Sequence, residues 1–266
     1  AQITVTLGAT EAIFSAVQAV VGAEDEAIAF DPAYDSYEPA VRLAGGRCIR
    51  LPLMPPAFHY DWDRVREAIT PRTRLILFNS PHNPTCTVAT RSDLDELAAI
   101  IRGRDIVVVS DEVYEHVVFD GRTHASVLSH PELRERSIAV YSFGKTLHAT
   151  GLRIGYCVAA PALTSELRKV HQFNTFSIAN PLQRAVAAYL AERPQTGREL
   201  SAFFQAKRDR LRQALAGGGF ALPPAQGTFF QLLDFGGLLP PGDTAFAERA
   251  LTEAGVATIP LSPFYA

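Results

Sequence analysis

Three cysteines in 266 residues, Cys48, Cys86 and Cys157, are too few, too scattered and too odd in number for a disulfide framework. No Cys-x-x-Cys pair is present to suggest a zinc site, and a reducing, cytoplasmic setting is expected. Basic blocks are also missing. The 25 Lys and Arg stand against 28 Asp and Glu, a net charge of −3, which argues against a nucleic-acid-binding surface. No apolar run reaches membrane-spanning length, because charges or turn residues interrupt each one. The opening AQITVTLGATEA has no basic stretch ahead of an apolar core, so it does not read as a signal peptide. Neither repeats nor low-complexity segments occur. What remains is a chain with 47% hydrophobic residues, long enough to bury a large core and expected to take a ligand that is small or mixed in charge.

A short β-branched run, a turn and a helical stretch alternate through the first 160 residues. ITVTL (3–7) leads into a helix near 10–21, whose Ile13, Phe14, Val17, Val20 and Val21 follow helical spacing. Strands are expected at 26–30, 47–51, 75–79, 105–110, 138–143 and 153–160, with helices near 34–44, 62–69 and 93–101 between them. This alternation predicts a three-layer α/β/α fold around a mostly parallel sheet. After Pro161, helical segments at 162–173, 181–191 and 198–216 take over. Strand-like runs at 228–235 and 256–260 then flank a helix near 244–254. The break at Glu192-Arg193-Pro194-Gln195 predicts a large domain over 1–193 and part of a smaller α+β domain over 194–266. ITVTL reads as a core strand with no lead-in, and PLSPFYA follows directly on an apolar segment. Further segments are therefore expected beyond both ends.

In a parallel sheet, ligands sit beyond the carboxyl ends of the strands, and unusual polar residues recur there in this chain. Gly8-Ala9-Thr10 opens a helix, either as a simple capped turn or as an anion cradle. Tyr34 follows the second strand, as a rim residue or as a ring that lies flat on another ring. Two prolines bracket Asn83 and fix its backbone, either for a turn or to aim its amide. Asp111 ends the most apolar strand, where a buried carboxylate needs a cationic partner: a salt bridge or a protonated heterocyclic nitrogen. Tyr114 follows one helical turn later. Ser142-Phe143-Gly144-Lys145 closes another strand and sets an amine at the mouth of the sheet, suited to imine formation if its pKa is lowered. Arg153, eight residues on, suits bidentate pairing with a phosphate.

The motifs DPAYDSY, SPHNPT, SDEVYEH and SFGKTLHATGLRIGY, in that order, resemble the fold-type I, class I/II aminotransferases over essentially the whole chain. GATEA, HASVL, ELRER and KVHQ are most similar to the branch that holds the methionine and aromatic enzymes, including those acting on kynurenine and glutamine. The resemblance implies an aspartate aminotransferase-like large domain and pyridoxal 5′-phosphate held as a Schiff base on Lys145, which also shuttles the proton. It implies that Asp111 pairs with the pyridinium nitrogen. Tyr114 and Asn83 would donate to the phenolic oxygen, with Asn83 also near the substrate carboxylate. Tyr34 would stack on the ring, and Ala9, Thr10, Ser142 and Arg153 would cradle the phosphate.

The same resemblance implies a homodimer, with Phe176 reaching toward the neighbouring site. It also implies an N-terminal arm, and a substrate-gripping arginine beyond Ala266. Two positions depart from the pattern. Cys86 stands where the family often has Gly, so the loop is expected to turn differently, and His148 stands where small residues are usual. Two other activities suit the same lysine and fold: a carbon–sulfur β-lyase, and a non-catalytic ligand sensor.

Overall fold

The computed structural model describes residues 2–236 and 242–266. Its seven strands are β1 (Ile3–Thr6), β2 (Glu26–Asp31), β3 (Arg47–Pro52), β4 (Thr73–Asn79), β5 (Val107–Asp111), β6 (Ser137–Ser142) and β7 (Gly155–Ala159). They form one sheet in the order β1-β7-β6-β5-β4-β2-β3. The pairs from β3 through β2, β4 and β5 to β6 are parallel, whereas β7 runs antiparallel to both β6 and β1. The helices are α1 (Gly8–Val20), α2 (Tyr37–Leu43), α3 (Trp62–Ala68), α4 (Arg91–Ile101), α5 (Pro131–Arg134), α6 (Phe143–Thr146), α7 (Pro161–Asn174), α8 (Asn180–Glu192), α9 (Leu200–Leu215) and α10 (Asp243–Ala254). None among the described residues is long and apolar enough to cross a membrane.

Strand residues alternate between the two faces. Leu75, Leu77, Val109, Val140 and Cys157 pack under α1, α2 and α7, where Ile13, Val17, Val41 and Leu167 meet them. Ile76, Phe78, Val108, Ala139 and Tyr141 face Val65 of α3, Leu94 and Leu97 of α4, and Leu133 of α5. Both faces are covered, so the strands read as continuous apolar runs and not as alternating ones. Each Val, Leu, Ile or Phe side chain among them contributes about 1.5–3 kcal/mol on burial. Helix α4 begins at a capping box in which Thr90 and Asp93 satisfy each other's backbone amides.

Several expectations need correction. β1 is an edge strand with Ile3 exposed, not a core strand, because only β7 pairs with it. Helix α2 starts at Tyr37, three residues later than expected, and Tyr114 lies in a turn, not on a helix. Neither 228–235 nor 256–260 forms a strand. The first makes only an isolated bridge from Asp234 to Ala221, next to one from Gly227 to Val118. Its aromatic rings instead meet other rings, Phe229 and Phe230 against Tyr114, and Phe229, itself partly exposed, also against Phe204 of α9.

Candidate active site

The carboxyl ends of β4, β5 and β6 deliver Asn79, Asp111 and Ser142 to one edge of the sheet. Because β7 is reversed, its beginning, Arg153 to Gly155, arrives at that same edge: Gly155 pairs with Ser142. Asn79 and Asp111 are register partners. The Asn79 amide donates to the Asp111 carbonyl at 2.8 Å, and its Oδ1 accepts the Asn83 backbone N–H at 2.8 Å. One side chain thus pins the SPHNPT loop to β5.

The Asp111 carboxylate is buried. It accepts from the Tyr37 hydroxyl at 2.8 Å and from the Val113 N–H at 3.3 Å, with no ion pair among the described residues. Burial pushes its pKa up to about 6, against the Tyr37 and Val113 hydrogen bonds and the nearby Lys145 charge. Lys145, on the single-turn α6, carries its Nζ 5.2 Å from the Phe229 ring centre and 5.6 Å from that of Tyr114. It makes no hydrogen bond or ion pair among the described residues. Partial burial lowers its pKa; the Asp111 charge opposes this and the Arg153 charge adds to it. A neutral amine, the nucleophilic form, is correspondingly easier to reach. Tyr114 is buried edge-on to Phe229, and burial with the Asp111 charge pushes its hydroxyl above the usual range, so it stays a donor.

Helix α1 opens without a side-chain cap, which leaves its first amides free for an anion. Gly8 has φ +77°, and a Cβ there would meet Arg153 Nη2 at 2.7 Å, so the guanidinium lies directly on this turn. A Cβ on Gly155 would stand 2.8 Å from the Ala9 nitrogen and 2.7 Å from the Tyr141 carbonyl oxygen. Gly155 therefore lets Ser142, its register partner, and Ala9 come together. Thr10 continues the turn, its Oγ1 3.5 Å from the Tyr34 hydroxyl, and the Tyr34 ring meets that of Tyr37 edge-on at 5.6 Å.

The residues expected from sequence, Ala9, Thr10, Tyr34, Asn83, Asp111, Tyr114, Ser142, Lys145 and Arg153, thus gather at one edge through these contacts. His148 instead packs on Phe204 and Phe203 of α9, at 5.5 and 5.7 Å. Cys86 adopts φ +65°, the left-handed conformation that glycine favours, so the loop keeps a glycine-type turn despite the substitution. Two contributors were missed. Asn79 ends its strand as Asp111 does, a signal visible in the sequence, whereas Tyr37 lies inside DPAYDSY, three residues after Tyr34, where the sequence does not say which ring turns inward.

Sheet order, reversed strand and site together define the aspartate aminotransferase-like α/β fold. The chain belongs to the aminotransferase class I and II family, whose profile matches residues 1–266. It is 48% identical over 264 residues to the methionine aminotransferase of Escherichia coli K12, covering 99% of this chain and 68% of that protein. A solved E. coli methionine aminotransferase superposes with a TM-score of 0.98 over 100% of this chain and 70% of the other. The N-succinyldiaminopimelate aminotransferase of Mycobacterium tuberculosis, 37% identical, gives 0.95 with the same coverage. Mouse kynurenine–oxoglutarate transaminase 1 is 33% identical, over 99% of this chain and 69% of its own.

Members of this family depend on pyridoxal 5′-phosphate, and the residues present fit that group. Among the described residues, Asp111 is a buried carboxylate without a cation, Lys145 an amine without a hydrogen-bond or ion-pair partner, and the α1 turn a set of uncapped amides under a guanidinium.

Proposed function

We propose that this aminotransferase moves an amino group from methionine, an aromatic amino acid or a glutamine-like donor to a 2-oxo acid, with pyridoxal 5′-phosphate carried on Lys145. The observation that carries the reading is the partly desolvated Lys145 amine, unpaired among the described residues and close enough to buried Asp111 for each charge to act on the other. Asp111 holds the proton on the ring nitrogen, Tyr114 and Asn83 donate to the phenolic oxygen, and Tyr34 stacks on the ring. Ala9 and Thr10 supply amides, and Ser142 and Arg153 polar side chains, to the phosphate. Asn83 also reaches the substrate carboxylate. The bound cofactor supplies the electron sink for breaking the substrate Cα–H bond. The Lys145 amine would carry that proton.

The donor class rests on the methionine and kynurenine enzymes among the relatives. Exposed Phe173 and Phe176 at the end of α7 support a homodimer in which Phe176 approaches the neighbouring site. Residues 1–193 form the cofactor-holding domain and 194–266 belong to a smaller one; the protein works in the cytoplasm. The relatives named above are all transaminases, which favours transamination over β-elimination or sensing. Reduction of the full-length holoprotein with borohydride is expected to fix the label on the Lys145 peptide. Lys145→Ala should lose nearly all transamination of methionine. Labelling at Lys169 or Lys207, or pyruvate release from cystathionine outpacing transamination, would overturn the proposal.

A further inference from the structure

Tyr37 is the first residue of α2, and its N–H closes a turn onto the Tyr34 carbonyl at 3.1 Å. Its ring is buried, and among the described residues its hydroxyl has one partner, Asp111 Oδ2 at 2.8 Å. Its ring edge meets Tyr34, whose own hydroxyl approaches Thr10 on the α1 turn. A single buried side chain therefore touches the carboxylate of the site and braces the aromatic ring whose hydroxyl approaches the anion cradle.

From this arrangement we infer that Tyr37 is a positioning residue that keeps the Asp111 carboxylate ionised and aimed before the cofactor arrives, and holds Tyr34 in place through its ring. The inference rests on the assignment of Asp111 to the cofactor's ring nitrogen. Its physical basis is the poverty of other support for a buried anion. Tyr37, Tyr114, Glu112 and Lys145 are the titratable groups whose charges or hydroxyls bear on Asp111. Glu112 is itself acidic and raises the cost of a second negative charge, and Lys145 acts only at a distance. The Val113 N–H, at 3.3 Å, is a long hydrogen bond. The Tyr37 hydroxyl is the short one. Burial and the Asp111 charge both push its own proton loss to higher pH, so it donates throughout the working range. Without it, the protonated form of Asp111, which cannot pair with a protonated ring nitrogen, extends to higher pH.

Hydroxyl and ring make separable contributions. Tyr37→Phe removes the hydrogen bond and leaves the edge contact with Tyr34; Tyr37→Leu removes both. Apo full-length protein is titrated with pyridoxal 5′-phosphate between pH 5 and 9, following cofactor absorbance and protein fluorescence. Wild type and both variants are compared at each pH, so that the cofactor's own ionisations cancel. Affinity is expected to fall off on the acid side in all three. The midpoint of that fall should lie about one pH unit higher in both variants than in wild type. At pH 9, Tyr37→Phe should bind within about 3-fold of wild type, whereas Tyr37→Leu should bind roughly 10-fold or more weakly, since Tyr34 loses its brace. Equal midpoints for wild type and Tyr37→Phe would overturn the role of the hydroxyl. Equal affinities at pH 9 for the two variants would overturn the role of the ring. Failure of the wild type itself to bind would instead refute the assignment of the cofactor site.

Discussion

Adding one methyl group at Gly8 tests the anion cradle through two separate costs. Gly8 has φ +77°, and an L-residue in the left-handed region costs about 1–2 kcal/mol. That cost falls on folding and needs no cofactor. The new Cβ would also lie 2.7 Å from Arg153 Nη2 and 3.1 Å from its Cζ, so the guanidinium must withdraw. A charge-assisted hydrogen bond contributes about 1.5–3 kcal/mol. Losing the one Arg153 is proposed to make with the phosphate should weaken cofactor binding on the order of 10- to 150-fold. Urea unfolding of the apo protein measures the first cost, and fluorescence titration with pyridoxal 5′-phosphate measures the second. The two are told apart by the double variant. Once Arg153→Ala has removed the guanidinium, Gly8→Ala has nothing to displace. The double variant should bind cofactor as Arg153→Ala alone does, yet retain the folding penalty of Gly8→Ala. Additive losses of affinity would mean that the methyl acts on the α1 amides directly, and the placement of Arg153 over the turn would not explain the cradle.

Asp111→Asn in the full-length enzyme should retain cofactor yet lose about 10²-fold or more in kcat, on the order of 3 kcal/mol, because Asn supplies no charge to the ring nitrogen; an unchanged kcat refutes the role. The same substitution should act in the opposite direction on the apo protein's stability. The folded pKa of Asp111 is raised from 3.8 to about 6, so its contribution to stability is complete below about pH 4 and lost as pH rises through about 6. At about 1.4 kcal/mol per pH unit, the loss is on the order of 2–3 kcal/mol at neutral pH. Apo Asp111→Asn should therefore unfold at higher urea than apo wild type at pH 7.5, with the gain shrinking toward pH 4. A gain independent of pH would place its origin elsewhere. A Gly155→Ala methyl, 2.7–2.8 Å from backbone atoms of Gly8, Ala9 and Tyr141, cannot be relieved by a side-chain rotation. It should cost about 1–3 kcal/mol in chemical unfolding and also weaken cofactor binding.

The alternating elements were legible because strands buried on both faces are apolar throughout and end abruptly in polar residues. Asp111 and Lys145 stood out for the same reason: a charge directly after VVVS or beside AVYSFG has few ordinary explanations. The direction of β7 was not legible, since parallel and antiparallel strands of a covered sheet carry the same apolar pattern. It became clear only from its pairing with β6. Residues 228–235 carry strand-like composition, but aromatic side chains in contact with Tyr114 and α9 took precedence over ladder formation. Tyr37 was overlooked because a tyrosine within a tyrosine-rich turn gives no sign of which ring points inward. Its bond to Asp111 spans 74 positions in the chain.

The hairpin formed by β6 and β7 has a consequence for how the gene product tolerates length changes. Ser142 and Gly155 fix one end of the pairing, and Lys145 and Arg153 both lie on the twelve intervening residues, 143–154. Along β7, Cys157 points under α1 while Tyr156 stacks on Tyr141 on the opposite face. Slipping the pairing by a single residue would exchange those faces, driving a tyrosine into space shaped for a thiol. An inserted residue must therefore be absorbed inside the connection itself, between the amine and the guanidinium. The connection behaves as a gauge: its length sets how far the proposed anchor for the cofactor's phosphate, Arg153, stands from Lys145, the group proposed to carry its carbonyl carbon.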